Sequence, residues 1–79
     1  MAQLPSDDET TRMVLDIFKH FDTRPGEVLM PQNIAAVSME RRYRQEDLDG
    51  GLQIAADRGW VEYGPNGTIR LTKEGFAKV

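Results

Sequence analysis

Arg41-Arg42-Tyr43-Arg44 places three guanidinium groups within four consecutive positions, and Gln45 follows directly. Guanidinium is a permanent cation whose planar fork matches phosphate oxygens, and a glutamine amide can pair with an adenine edge. The cluster reads as a nucleic-acid contact, with the arginines on the backbone and Gln45 nearest the bases. Gln53 is a second amide of the same kind, and Asn66, Arg70 and Lys73 can reach a phosphate backbone or a minor groove. The competing reading is a solvated arginine run neutralised by Glu40, Glu46 and Asp47. Taken singly, Gln45 and Gln53 are read first as surface residues, and the turn role alone explains Asn66. Tyr43 and Tyr63 are amphipathic rings that anchor a protein interface as readily as nucleic acid.

Other chemistries find little support. His20 is the sole histidine and has no partner motif for catalysis or metal binding. Asp7, Asp8 and Glu9 are consecutive, so they do not converge on one helix face, and helix capping explains them better than metal ligation. Nothing resembles a P-loop, a nucleotide fingerprint, a nucleophile elbow or a zinc motif. With no cysteine there is neither a disulfide framework nor a thiolate site. We expect no enzyme, no cofactor and no metal. Trp60 is expected in the core and not as a base-stacking platform.

The chain has 79 residues, 39% of them hydrophobic and 29% charged. That suffices for one small domain with one core, over residues 1–79, with 1–6 expected to be a flexible N-terminus. No apolar run approaches the roughly 18 residues of a spanning helix. The first residues lack the basic and apolar regions of a signal peptide, so a cytoplasmic location is expected. Ten basic against thirteen acidic residues give a net charge of −3. The charge is uneven: residues 1–40 carry an acidic excess, and residues 41–79 are close to balance. Proteins that live on phosphates usually advertise a basic surplus. Here the surplus is confined to clusters.

The elements that must position these residues are legible in the spacing. Ser6, Asp7 and Asp8 are N-cap candidates for a first helix. Met13, Val14, Ile17, Phe18 and Phe21 form its apolar face, with Leu15 off that face. Pro25 and Gly26 stop it. Glu27 to Met30 reads as a short extended segment. Pro31 opens a second helix, expected to end near Ser38, with Ile34, Ala35, Ala36 and Val37 packing inward. A connection over residues 38–44 leads to a third helix with an acidic first turn, Glu46 and Asp47. Leu48, Leu52, Ala55 and Ala56 are its buried stripe, and Gly59 stops it. Gly50 and Gly51 lie within that helix; the apolar spacing keeps phase across them, which favours one continuous helix. Trp60 to Tyr63 and Thr68 to Leu71 are β-prone around the turn Gly64-Pro65-Asn66-Gly67, where Asn-Gly suits a hairpin. Thr72 caps a last helix over 73–78, with Phe76 turned to the core.

Two helices, a connection and then a β-hairpin is the winged helix-turn-helix order. Leu52-Gln53-Ile54-Ala55-Ala56-Asp57-Arg58-Gly59-Trp60-Val61-Glu62-Tyr63 resembles the end of a recognition helix running into a first wing strand. Ile69-Arg70-Leu71-Thr72-Lys73-Glu74-Gly75 resembles the closing phrase of the wing in small prokaryotic regulators, including MarR-like and PadR-like domains. Together they cover about a third of the chain. The resemblance implies an α+β winged helix-turn-helix: a three-helix core, a β-hairpin wing and a short C-terminal helix. It places Arg41, Arg42, Arg44 and Gln45 at the start of the recognition helix, and Arg70 and Lys73 in the wing. Two departures accompany it. The chain ends at Val79 without the long dimerisation helix of those regulators, and the third helix carries Glu46, Asp47 and Asp49 where they offer basic or neutral groups.

These readings give definite expectations. One core is shared by Val14, Ile17, Phe18, Phe21, Ile34, Val37, Leu48, Leu52, Trp60, Ile69 and Leu71. The protein is a monomer, or a weak dimer through Leu15 on the first helix. Its function is double-stranded DNA binding, as a transcription regulator or accessory factor. The alternative is a winged-helix module that contacts another protein without DNA, with Leu15, Met39, Tyr43 and Tyr63 as exposed candidates and Tyr43 and Tyr63 as the aromatic anchors.

Overall fold

Ser6 caps the first helix: its hydroxyl accepts the Glu9 N–H at 3.2 Å, and its carbonyl accepts the Thr10 N–H at 3.0 Å. The structure is a computed structural model that describes residues 6–79. The expected flexible N-terminus therefore lies outside the described residues, apart from Ser6. Behind this cap runs α1 (Asp7–His20), with three acidic residues at its positive end. It is followed by β1 (Val28–Leu29), α2 (Pro31–Arg41), α3 (Gln45–Asp57), β2 (Val61–Tyr63), β3 (Ile69–Leu71) and α4 (Lys73–Lys78). The architecture is α+β: among the described residues, four helices and one antiparallel sheet of strand order β1-β3-β2. None of these helices is long and apolar enough to cross a membrane.

The core lies between α1, α2, α3 and one face of the sheet. Val14, Ile17, Phe18, Leu29, Ile34, Val37, Leu48, Ala55, Val61, Ile69 and Leu71 form its buried cluster. The sheet register explains the alternation in β3: Ile69 and Leu71 point inward, while Arg70 stands on the solvent face opposite Val28 and Glu62. α3 is continuous through Gly50-Gly51. The two glycines differ. A Cβ at Gly51 would collide with the Thr10 carbonyl of α1, whereas a Cβ at Gly50 would meet nothing within 4 Å. Gly51 is thus the contact that lets α1 and α3 approach. Gly59 takes φ +76 just past the helix, the left-handed stop expected of it. Thr72 closes the chain as foreseen. Its hydroxyl accepts the Gly75 N–H at 3.0 Å, capping α4, and donates to the Gly59 carbonyl at 2.6 Å.

Several expectations need correction. Leu15 is buried, with 2% exposure, because α1 is covered over a wider arc than one stripe: Thr10, Thr11, Val14, Leu15, Ile17 and Phe18 are all buried. The basis for a dimer through Leu15 is therefore absent. Phe21 lies beyond the last helical residue, is 37% exposed and meets His20 edge-on at 4.9 Å. Phe76 is 45% exposed, because the short α4 docks through Gly75, which lies against the Trp60 carbonyl. Leu52 and Trp60 are half-buried residues packed on the core's edge. Ala35 and Ala36 are exposed; α2 buries Ile34, Val37 and Ser38 instead.

Local hydrogen bonding also moves two boundaries. α2 runs to Arg41, past the expected end at Ser38, and Arg42 closes it in the left-handed conformation at φ 57. The Ser38 hydroxyl donates back to the Ile34 carbonyl at 2.8 Å, and the Tyr43 N–H to the Ser38 carbonyl at 2.9 Å, so the last turn is satisfied. The β2–β3 turn is not a two-residue hairpin. Pro65 has no N–H to continue the ladder, and Pro65–Gly67 forms a 3₁₀ turn. The Gly64 N–H bonds to the Thr68 carbonyl at 2.8 Å across its base.

Candidate nucleic-acid and protein interface

The α2 boundary decides where the arginines sit. Arg41 ends α2, Arg42 is the left-handed residue after it, and Arg44 is the N-cap residue of α3. All three are exposed. They share one corner of the molecule, at the start of α3, where the resemblance placed them. Arg41 Nη1 donates to the Tyr43 hydroxyl at 3.4 Å, a bond that favours the charged guanidinium and raises its pKa. Arg44 pairs with Glu46 at 3.5 Å. Gln45 opens α3, exposed, and its Nε2 donates to Asp49 Oδ1 at 2.9 Å.

Arg70 and Lys73 lie elsewhere. Arg70 is on the solvent face of the sheet, opposite Glu62, and Lys73 is in the first turn of α4, not in the wing. Both border a shallow depression that also includes Glu62 and Glu74. Each of these cations thus has a carboxylate close by. Asn66 is exposed at the wing tip with φ 59, so its turn role accounts for it. Tyr43 is half-buried against the core, while Tyr63 is 58% exposed. Trp60 is half-buried, with the Arg58 guanidinium 5.1 Å and the Lys78 ammonium 5.8 Å from its ring centre. Asp8, one of the capping acids, meets Arg58 at 3.4 Å.

The outer face of α3 is the feature that sequence reasoning assembled only in part. Gln45, Asp49, Gln53 and Asp57 are each four residues apart and all exposed, so they make one ridge along the helix. No basic residue stands between Arg44 and Arg58. Next to this ridge, Leu48 and Leu52 face α2 and the β2–β3 hairpin. Together with Pro31, Ile34, Ala35 and Tyr63 they border a groove of about 250 Å³, with Gln45 at its rim. Asp49 and Asp57 act on the phenol of Tyr63. Partial burial is the main cause of its raised pKa, and these two carboxylates raise it further. Neither carboxylate has an ion-pair partner among the described residues.

The signal for the ridge lay in the sequence as the four-residue spacing of Gln45, Asp49, Gln53 and Asp57. What was invisible was the depth of the groove. The small Ala35 of α2, exposed and not turned inward, lies on its wall facing the β2–β3 hairpin. Searches against family models, curated proteins and solved structures return no match to this chain.

Proposed function

We propose that the chain is a winged-helix domain, without enzymatic activity, that docks a protein segment on the face formed by α3 and the β2–β3 wing. The element order and the β1-β3-β2 sheet support the winged-helix reading. One observation carries the docking reading. The ridge that a winged helix would lay in a DNA groove bears Asp49 and Asp57 and no cation, and it borders an apolar groove with an exposed Tyr63. Carboxylates facing a duplex repel its phosphates and release no counterions. An exposed tyrosine beside an apolar groove and a charged rim has the composition of a protein interface.

DNA binding through the α3 start and the wing is the second reading. It is favoured by Arg41 and Arg42, which are exposed and have no ion-pair partner among the described residues. Arg41, Arg42 and Arg44 would hold the backbone, with Arg70 and Lys73 as outlying contacts. So few cations give weak, salt-sensitive binding of about 10⁻⁴ to 10⁻⁶ M at physiological salt.

A heteronuclear NMR titration with mixed-sequence duplex DNA at low salt separates the two. The docking reading expects no saturable shifts along Gln45, Asp49, Gln53 and Asp57, and at most diffuse changes at the arginine corner. Saturable shifts along that ridge and the wing, abolished by replacing Arg41, Arg42 and Arg44 together with Ala, would establish the DNA reading instead.

A further inference from the structure

The groove between α2, α3 and the wing is specific enough in size and charge to define what it takes. At about 250 Å³ it lies below the roughly 300–1,000 Å³ of small-molecule sites, which suits one protruding side chain of a partner better than a cofactor. Its walls are apolar: Ile34, Leu48, Leu52 and the ring of Tyr63. Met39 stands one turn beyond Ala35 on α2 and is 80% exposed, which extends the apolar strip past the groove.

The rim is electrically polarised. Just outside the lining on one side are Asp49, which accepts from Gln45 at 2.9 Å, and Asp57; neither has an ion-pair partner among the described residues, and both act on Tyr63. On the other side, past Gln45, are Arg44 and the arginine corner. Asp57 is the last residue of α3, where the helix dipole disfavours an acid, and the C-cap Arg58 is engaged with Asp8 and the Trp60 ring. Asp49, Asp57 and the electron-rich face of Tyr63 all attract positive charge, which suits a cationic ligand.

We propose that this groove docks a segment of a partner protein in which one apolar side chain is followed or preceded by lysine or arginine. The apolar side chain fills the space between Leu52 and Tyr63. The cations lie along Asp49 and Asp57, away from Arg44. This inference rests on the docking reading above and adds the chemistry of the occupant.

Selection of a random peptide display library on the immobilised full chain tests it. Enriched peptides are then synthesised and titrated into the isotopically labelled protein. The expected result is enrichment of peptides that join an apolar residue to Lys or Arg, with shifts at Ala35, Leu52, Tyr63 and Asp49. Asp49→Asn with Asp57→Asn should weaken binding roughly three- to tenfold, and added salt should weaken it too. These isosteric surface changes leave the core untouched, and an unchanged spectrum of the free variant verifies that. Neutral or acidic peptides that shift the same residues would overturn the proposed occupant while leaving the docking reading in place. Groove shifts that grow with protein concentration and without peptide would assign the groove to a second copy and overturn the proposal. Enriched peptides that map elsewhere, or no enrichment at all, would overturn both this inference and the docking reading.

Discussion

Single side chains already separate what folding requires from what it leaves spare. Thr23 is buried, at 6% exposure, and its hydroxyl has no hydrogen-bond partner among the described residues. An unpaired buried hydroxyl costs about 1–3 kcal/mol, so the near-isosteric Thr23→Val should raise stability by about 1 kcal/mol, read as a higher urea midpoint at unchanged slope. Tyr63 gives a second test. Its phenol titrates above the ordinary value because partial burial, then Asp49, then Asp57 disfavour the phenolate. Replacing both acids with Asn removes the two repulsions, so the ultraviolet titration curve of this tyrosine should move to lower pH; no movement would mean that the carboxylates are not beside the ring. At this scale the sequence was informative about type and uneven about exposure. The arginines and Tyr63 were foreseen at the surface, because charge and position dictate it. Leu15 was misplaced because a helix covered from several sides buries more than one stripe. Phe21 was misplaced because α1 ends before it, and Phe76 because α4 docks through Gly75 instead.

Elements were more legible than residues. Caps and stops are written locally: Ser6 and Thr72 begin helices, and Gly59 ends one, through hydrogen bonds and dihedrals that involve only near neighbours. The length of α2 was not legible, since its last turn depends on the Ser38 bond to Ile34 and on Arg42 accepting a left-handed conformation. The paired glycines of α3 make the element-scale prediction. Gly50→Ala meets open space and should stabilise the helix by up to about 1 kcal/mol through propensity alone. Gly51→Ala drives a methyl into the Thr10 carbonyl and should destabilise by about 1–3 kcal/mol through overpacking. Thermal melts of the two variants should therefore shift in opposite directions. Equal shifts would mean that α1 and α3 are not in contact at this point.

At the scale of the whole molecule, the small core makes each buried residue matter. A chain of this size has a stability near 0.05–0.15 kcal/mol per residue, or about 4–12 kcal/mol. Leu48, at 3% exposure, should lose about 2–5 kcal/mol on change to Ala, and the half-buried Leu52 distinctly less. Denaturant unfolding of both variants checks this order, and the reverse order would place the core on the wrong side of α3. The α+β class and the element order were readable because period, caps and turns all agreed. The candidate site was readable only in part. Arg41, Arg42, Arg44 and Gln45 do gather at one corner, but Arg70 and Lys73 lie on other surfaces, and the α2–wing groove arises from tertiary packing that no local pattern encodes.

The central claim concerns the sign of the field on the outer face of α3, and that sign can be measured without knowing any partner. Paired paramagnetic cosolutes, one cationic and one anionic but otherwise alike, accumulate near surface of opposite charge, and the ratio of amide relaxation they cause reports the local potential. The cationic probe should relax Asp49, Gln53, Asp57 and Tyr63 faster, with the anionic probe dominant at Arg41, Arg42 and Arg44. An excess of the anionic probe along the α3 ridge would contradict this claim and return that face to the phosphate backbone of DNA.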